Sequence, residues 1–188
     1  MGWVTRLNLA CLILCRQAEM IRMILGRWFF IVEKMKKVKI GLAASSGGHY
    51  EQLFMLRPLR EKYEVFFITE KTRYSVEISE KKIYYLKQVN REEKMFLFRM
   101  MKNALLSLRI FMNEKPDIII CTGVLAMVPI CLISKLFRKK LIYIESFAKV
   151  TSATKTGKLM YHFADQFYVQ WESMLKIFPN AIYKGGIY

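Results

Sequence analysis

The sequence predicts an α/β fold, a Rossmann-like doubly wound parallel sheet, on three observations. From residue 38 onward, strand-like runs alternate with helix-like segments, the order that a parallel sheet with covering helices requires. Two runs, Asp117-Ile118-Ile119-Ile120-Cys121 and Leu141-Ile142-Tyr143-Ile144, are almost continuously apolar, as in strands covered on both faces. The first run, Val38 to Ala44, passes through Ser45-Ser46-Gly47-Gly48-His49 into a segment of helical spacing, Glu51 to Lys62. A strand, a Gly-Gly turn and a helix start form the place where such sheets present ligands.

The elements follow in order. The first strand, 38–43, feeds the Gly-Gly turn and a helix at 50–61. Glu64-Val65-Phe66-Phe67-Ile68-Thr69 predicts the second strand and 83–86 the third. A long helix spans 93–113. Its cations Lys94, Arg99, Lys102 and Arg109 fall within about 140° of arc at 100° per residue, and nearly everything else is Met, Phe, Leu or Ile. It reads either as a buried helix with one solvated basic stripe or as a membrane-facing helix whose cations meet anionic head groups. Strands at 117–121, 140–145 and 165–169 complete the pattern, with helices at 124–137, 157–163 and 171–177 and a last strand near Ile182.

Composition narrows the partners. The chain has 188 residues, 31 Lys and Arg against 15 Asp and Glu, and a net charge of +16, so its neighbours are anionic. It is also 54% hydrophobic with 12 Met, which fits a membrane surface better than a nucleic-acid groove. No reading helix or aromatic RNA platform is evident, and nucleic acid is not expected as a partner. Cys11, Cys15, Cys121 and Cys131 form no C-x-x-C pair and read as buried or lipid-side thiols; no metal and no cofactor is expected. Glycines at 41, 47 and 48 do not make a dinucleotide fingerprint, and no P-loop string occurs.

Two regions are expected. Residues 35–188 form the Rossmann-like domain. Residues 1–34 read either as an in-plane anchor or as an extension upstream of a start at Met35. Their apolar run, Leu7 to Cys15, is too short to span a bilayer, which needs about 20 residues. Arg16, Glu19 and Arg27 share one side of a helical wheel, and Trp28, Phe29 and Phe30 offer an interfacial aromatic cluster.

Four loops follow the carboxyl ends of predicted strands and should share one edge of the sheet. They are Ser45 to Glu51, Thr122-Gly123-Val124, Glu145-Ser146-Phe147-Ala148-Lys149 and Gln170-Trp171-Glu172. His49 reads as a base or as a helix-start residue satisfying backbone groups. Glu51 reads as a ligand or as a favourable first-turn charge. Glu145 ends an apolar strand, where a carboxylate is costly without a partner. Lys149 reads as a ligand or a solvated cation, and Trp171 as core or interface rather than a stacking platform.

The strings Ile142-Tyr143-Ile144-Glu145-Ser146-Phe147-Ala148-Lys149-Val150, Thr156-Gly157-Lys158-Leu159-Met160-Tyr161, Ala164-Asp165 and Val169-Gln170-Trp171, with Ser46-Gly47-Gly48-His49 before them, resemble a known family. It is the ALG-fourteen-type subunit of the N-glycosylation UDP-GlcNAc transferase, with bacterial capsule and exopolysaccharide relatives of PssD type. The peptidoglycan transferase MurG is similar at greater distance. The resemblance covers residues 36 to 188.

It implies one half of a GT-B glycosyltransferase: the acceptor-side domain, on the cytoplasmic face of the plasma membrane. A separate donor-side subunit, ALG-thirteen-like or PssE-type, would hold most of the UDP-sugar. The acceptor would be a polyprenyl-diphosphate-linked sugar and the transfer inverting. A complete two-domain transferase would need roughly twice this length. Carried onto this chain, His49 is the base, Ser46, Gly47 and Gly48 hold a diphosphate, and Glu145 and Ser146 orient the acceptor. Glu51, Thr122, Gly123 and Lys149 are further candidate substrate contacts, while Gln170, Trp171, Ile187 and Tyr188 form the joint with the partner. The family often has Arg where Lys149 stands, and a point charge cannot make bidentate contact. The other class of function is a non-catalytic anchor and activator of a separate catalytic subunit.

Overall fold

The computed structural model describes residues 37–71, 82–90, 95–123 and 125–187. The expected anchor within 1–34, and Lys94, Val124 and Tyr188, lie outside the described residues.

The described chain forms a seven-stranded sheet in the order β3-β2-β1-β4-β5-β6-β7, with every neighbouring pair parallel. The strands are β1 (Lys39–Ala44), β2 (Glu64–Lys71), β3 (Ile83–Lys87), β4 (Ile118–Thr122), β5 (Lys140–Ile144), β6 (Gln166–Val169) and β7 (Ile182–Tyr183). The helices are α1 (Gly48–Phe54), α2 (Phe96–Glu114), α3 (Val128–Leu136) and α4 (Lys155–Met160). The chain steps outward through β2 and β3, then returns to the other side of β1 for β4 to β7. This reversal leaves a topological switch point between β1 and β4, where open α/β sheets bind ligands.

The period-2 alternation of strand side chains splits the core into two layers. Ile119, Cys121, Leu141 and Tyr143 face one side with Phe111 of α2, Ile130 of α3 and Met160 of α4. Ile40, Leu42, Ile120 and Ile142 face the other with Leu53 of α1, Leu59 and Ile187. Cys121 and Cys131 are buried free thiols in the first layer.

Three expected helices differ in form. The segment 50–61 breaks into α1 and a 3-10 turn, Arg57–Glu61. Pro58 supplies no N–H and disfavours helical backbone at the residue before it. The segment 124–137 is a 3-10 turn, Leu125–Met127, followed by α3, with Pro129 in its first turn, where a missing N–H costs nothing. The segment 171–177 is 3-10, Glu172–Lys176.

The end of α2 is tied to the sheet by a buried carboxylate. Glu114 accepts a hydrogen bond from the Tyr84 hydroxyl and another from Lys39 Nζ at 3.0 Å. Burial pushes its carboxyl up, but these two bonds and the charges of Lys39 and Lys82 outweigh it, and the net shift is downward. A lowered folded-state value gives stability that is present above the unfolded carboxylate range and lost as pH falls through the folded value. Glu114→Gln should therefore cost about 1–2 kcal/mol at pH 7. The gap from wild type should close as pH drops below about 4, and urea titrations across that range measure it.

Candidate active site

Because every strand pair is parallel, the loops after β1, β4, β5 and β6 lie along one edge of the sheet. The first is built on a glycine turn. Gly47 has φ 78°, a conformation that favours glycine, and caps α1, its carbonyl accepting from Tyr50 N at 2.8 Å and Glu51 N at 3.1 Å. A Cβ at Gly47 or Gly48 would meet nothing within 4 Å, so the space beside the turn is open. Ser46 is half-buried, and Glu51 is exposed in the first turn of α1.

His49 leans across the switch point. A Cβ placed at Gly123 would stand 2.8 Å from Cγ, Cδ2 and Cε1 of the His49 ring, and Gly123 has φ 79°. Glycine there meets two demands, a left-handed backbone and room for the imidazole. Tyr143 Oη donates to Gly123 O at 3.2 Å and holds that turn from β5. Burial pushes the His49 imidazole below its ordinary value of 6.5, so the ring is neutral near pH 7. The neighbouring Thr122 hydroxyl is buried and has no hydrogen-bond partner among the described residues.

Glu145 is interior, 1% exposed. Its Oε1 accepts from Ser146 N and Thr154 Oγ1, both at 2.9 Å. Thr154 Oγ1 in turn accepts from Gly157 N at 2.7 Å and caps α4. Burial raises the Glu145 carboxyl above its ordinary value, partly offset by the bonds from Ser146 and Thr154 and by the Lys149 charge. Its main-chain carbonyl accepts from Gln170 Nε2 at 2.8 Å and from Gln52 Nε2 at 3.4 Å. The carboxylate expected to orient a substrate thus sits beneath the loop, joining β5 to α4. Ser146 is buried beside it, and half-buried Lys149 donates its main-chain N–H to Ser146 O at 3.0 Å, closing the turn.

The expected joint is also relocated. The sequence places Gln170 and Ile187 against a partner; the structure places both inside the chain. Ile187 is fully buried, and Gln170, 4% exposed, uses its amide to donate to Glu145 O and to accept from Ile187 N–H, both inside the chain. Trp171 is half-buried; its Nε1 donates to Phe147 O at 2.6 Å, and its ring lies 4.9 Å from that of Phe147. It fixes the β5 loop, although part of its surface stays open.

Sequence reasoning missed Gln52, Thr154 and Gly157. Gln52 follows His49 by three positions on α1, the spacing that puts two residues on one helix face. Thr154, a capping residue type just before a helical segment, was a readable signal for the start of α4. Nothing in the sequence announces that Gly157 faces Glu145.

A protein-family model described as "Oligosaccharide biosynthesis protein Alg14 like" matches residues 40–187. Curated relatives include the UDP-N-acetylglucosamine transferase subunit ALG14 of Mus musculus, 28% identical over 190 aligned positions covering 83% of this chain and 86% of the relative. The Homo sapiens subunit of the same name is 31% identical over 116 positions, covering 55% of this chain and about half, 54%, of the relative. Among solved structures, Acinetobacter baumannii MurG superposes with a TM-score of 0.55 at 17% identity, covering 71% of this chain and 41% of that one. A UDP-N-acetylglucosamine 2-epimerase from Rickettsia bellii gives 0.61 at 11% identity, covering 81% and 46%. The chain therefore spans less than half the length of these two structures, and the likeness to them is one of fold: the Rossmann-like half of a GT-B architecture.

Proposed function

The chain belongs to the Alg14-like family of oligosaccharide biosynthesis proteins, and from that premise we propose that it is the acceptor-side subunit of a two-chain UDP-sugar glycosyltransferase. It adds a sugar, in an inverting transfer, to a polyprenyl-diphosphate-linked acceptor during capsule or exopolysaccharide assembly, at the cytoplasmic face of the membrane. The observation that carries the reading is His49, seated on Gly123 at the switch point, neutral and beside an open glycine turn. A neutral imidazole can take the proton of an attacking hydroxyl. Ser46, Gly47 and Gly48 offer a turn that a diphosphate can approach closely. Thr122, Ser146, Lys149 and Glu51 flank it along the same edge. The donor UDP-sugar is held mainly by an ALG-thirteen-like or PssE-type partner, with Trp171 on this chain's side of the joint; no metal takes part.

The test reconstitutes this chain with that partner and follows sugar transfer to a lipid-linked acceptor. Neither subunit alone should turn over appreciably, and the complex should. The base must be neutral, and burial lowers its value, so activity should persist below pH 6.5 and fall only as pH drops through the lowered folded-state value. An acid limb centred above 6.5 would remove His49 from the role.

A second reading, the non-catalytic anchor and activator, has one observation in its favour. Glu145 and Gln170 spend their polar groups inside the chain, so few side chains remain to touch a substrate. Substantial turnover by the isolated partner would select this reading.

A further inference from the structure

Three carboxylates of the described chain are buried: Glu70, Glu114 and Glu145. Two of them are held by the fold. Glu114 accepts from Tyr84 and Lys39, and Glu145 accepts from Ser146 N–H and the Thr154 hydroxyl. Glu70, 7% exposed, is not held in this way. Its Oε1 accepts from Val89 N–H at 3.4 Å, beyond the ordinary range, and its Oε2 has no hydrogen-bond partner among the described residues. Lys71, the next residue of β2, is exposed and by strand alternation belongs to the opposite face. Burial pushes the Glu70 carboxyl above its ordinary value, and the Val89 bond offsets this only in part. An acid buried at this cost, with so little return inside the chain, points to a ligand.

Glu70 is the last residue but one of β2, at the sheet edge that carries the glycine turn. Strand β2 pairs with β1, and β1 with β4. Ala43 is level with Ile68, and Ala44 with Thr122. Carrying that register to the strand ends sets Glu70, Ser45 and Gly123 in one row. Ile68, Ala43 and Cys121 share one core layer, so the row two residues further on belongs to the same face of the sheet. His49 stands at the Gly123 end of the row, its ring in the space a Cβ at Gly123 would need. Glu70 stands at the other end, two strand spacings or about 10 Å away along the row. A pyranose lying over Ser45 would bring one hydroxyl to the imidazole and another to the carboxylate. No group of three His, Cys, Asp or Glu side chains able to hold a metal gathers among the described residues, so Glu70 is not one ligand of such a cluster.

We propose that Glu70 is an acceptor-binding residue: its carboxylate accepts a hydrogen bond from one ring hydroxyl of the acceptor sugar while a second hydroxyl of the same ring stands at His49. This assignment rests on the transferase reading above and names a further contact within it. It also names a chemical class. The ring over Ser45 is an uncharged polyol, because a carboxylate or phosphate on it would meet a like charge at Glu70. Holding the ring at two points fixes which hydroxyl faces the base, so Glu70 selects the position on the sugar that is extended.

The test uses the full chain in complex with its donor-side partner. The acceptors are farnesyl-diphosphate-linked glucose and N-acetylglucosamine, each with a set in which the ring hydroxyls are replaced one at a time by hydrogen. Besides the analogue that lacks the nucleophile, one deoxy acceptor should lose about 10–100-fold in kcat/KM with the wild-type complex, the worth of a hydrogen bond to a charged group. Glu70→Ala should lose a similar factor on the parent acceptor and nothing further on that one analogue. Glu70→Gln keeps an oxygen for Val89 N–H, removes the buried charge and presents an amide that cannot accept in place of Oε2. It should unfold at the same or a higher urea concentration than wild type and still lose transfer. A merely structural acid predicts the reverse, a lower urea midpoint and an equal loss on every acceptor, and that result would overturn the proposal. Wild-type kcat/KM in Glu70→Ala or Glu70→Gln would overturn it too, with the transferase reading intact. A wild-type complex inert toward every prenyl-diphosphate sugar would instead remove that reading, and the Glu70 assignment with it, before any variant is compared.

Discussion

Gly157→Ala should destabilise the chain by about 3–5 kcal/mol, a reversal of the usual gain of up to about 1 kcal/mol when alanine replaces glycine in a helix. A Cβ at 157 would stand 1.7 Å from Glu145 Oε2 and 2.8 Å from both Glu145 Cδ and Thr154 Oγ1. Relief requires the carboxylate to move, and it is held by Ser146 N–H and the Thr154 hydroxyl in a site with 1% exposure. Moving it leaves a buried acid short of partners, at about 1–3 kcal/mol, and disturbs the Thr154 cap of α4, at about 1 kcal/mol. Steric strain supplies the rest. Urea unfolding at constant slope measures the loss. Adding Glu145→Ala to Gly157→Ala removes the colliding group, so the double variant should lose clearly less than the two single losses summed. A loss under about 1 kcal/mol for Gly157→Ala alone would mean that Glu145 is not held there.

That collision shows where the sequence stops being readable. The apolar runs of β4 and β5 and the alternation around them carry the sheet, because burial on both faces demands unbroken hydrocarbon. Observed strands start or stop within a residue or two of the expected ones; two of the helices that changed form did so at Pro58 and Pro129, and the third, 171–177, tightened to a 3-10 turn with no proline in it. The glycine turn, and the place of His49 at the helix start that follows it, are legible because turn chemistry is local. The partner of Glu145 was not. It lies across a loop on α4, and only packing brings Gly157 to it. Gln170 and Ile187 failed for the same reason: from sequence they end a strand and a chain, while in the fold they satisfy one another. Helix α2 is a different case. Its spacing is apolar over most of its circumference, so periodicity could not say which face turns inward. The structure resolves it, with Ile110 and Phe111 in the core and Leu97 and Leu105 outside.

His49→Ala should leave the complex assembled and lower transfer by about 10²–10⁴-fold, the range of a positioned general base. The imidazole is held at the switch point by geometry: Gly123 beside it has φ 79° and the ring occupies the space a Cβ there would need, with Tyr143 Oη fixing the Gly123 carbonyl. Gly123→Ala supplies a finer probe because it keeps the imidazole and changes its seat. The added methyl would stand 2.8 Å from three ring carbons, so the ring must shift, and a displacement near 1 Å suffices for about a 10²-fold loss. The two variants should differ in pH response. With His49 absent, the acid limb below pH 6.5 should vanish along with most of the rate. With His49 displaced toward solvent, the limb should remain and move up toward 6.5, because burial is what lowers the value. A helix-start histidine that only satisfies backbone groups would show neither change. Wild-type turnover in the assembled His49→Ala complex would assign the chemistry to the partner chain and leave this one as its membrane-bound activator.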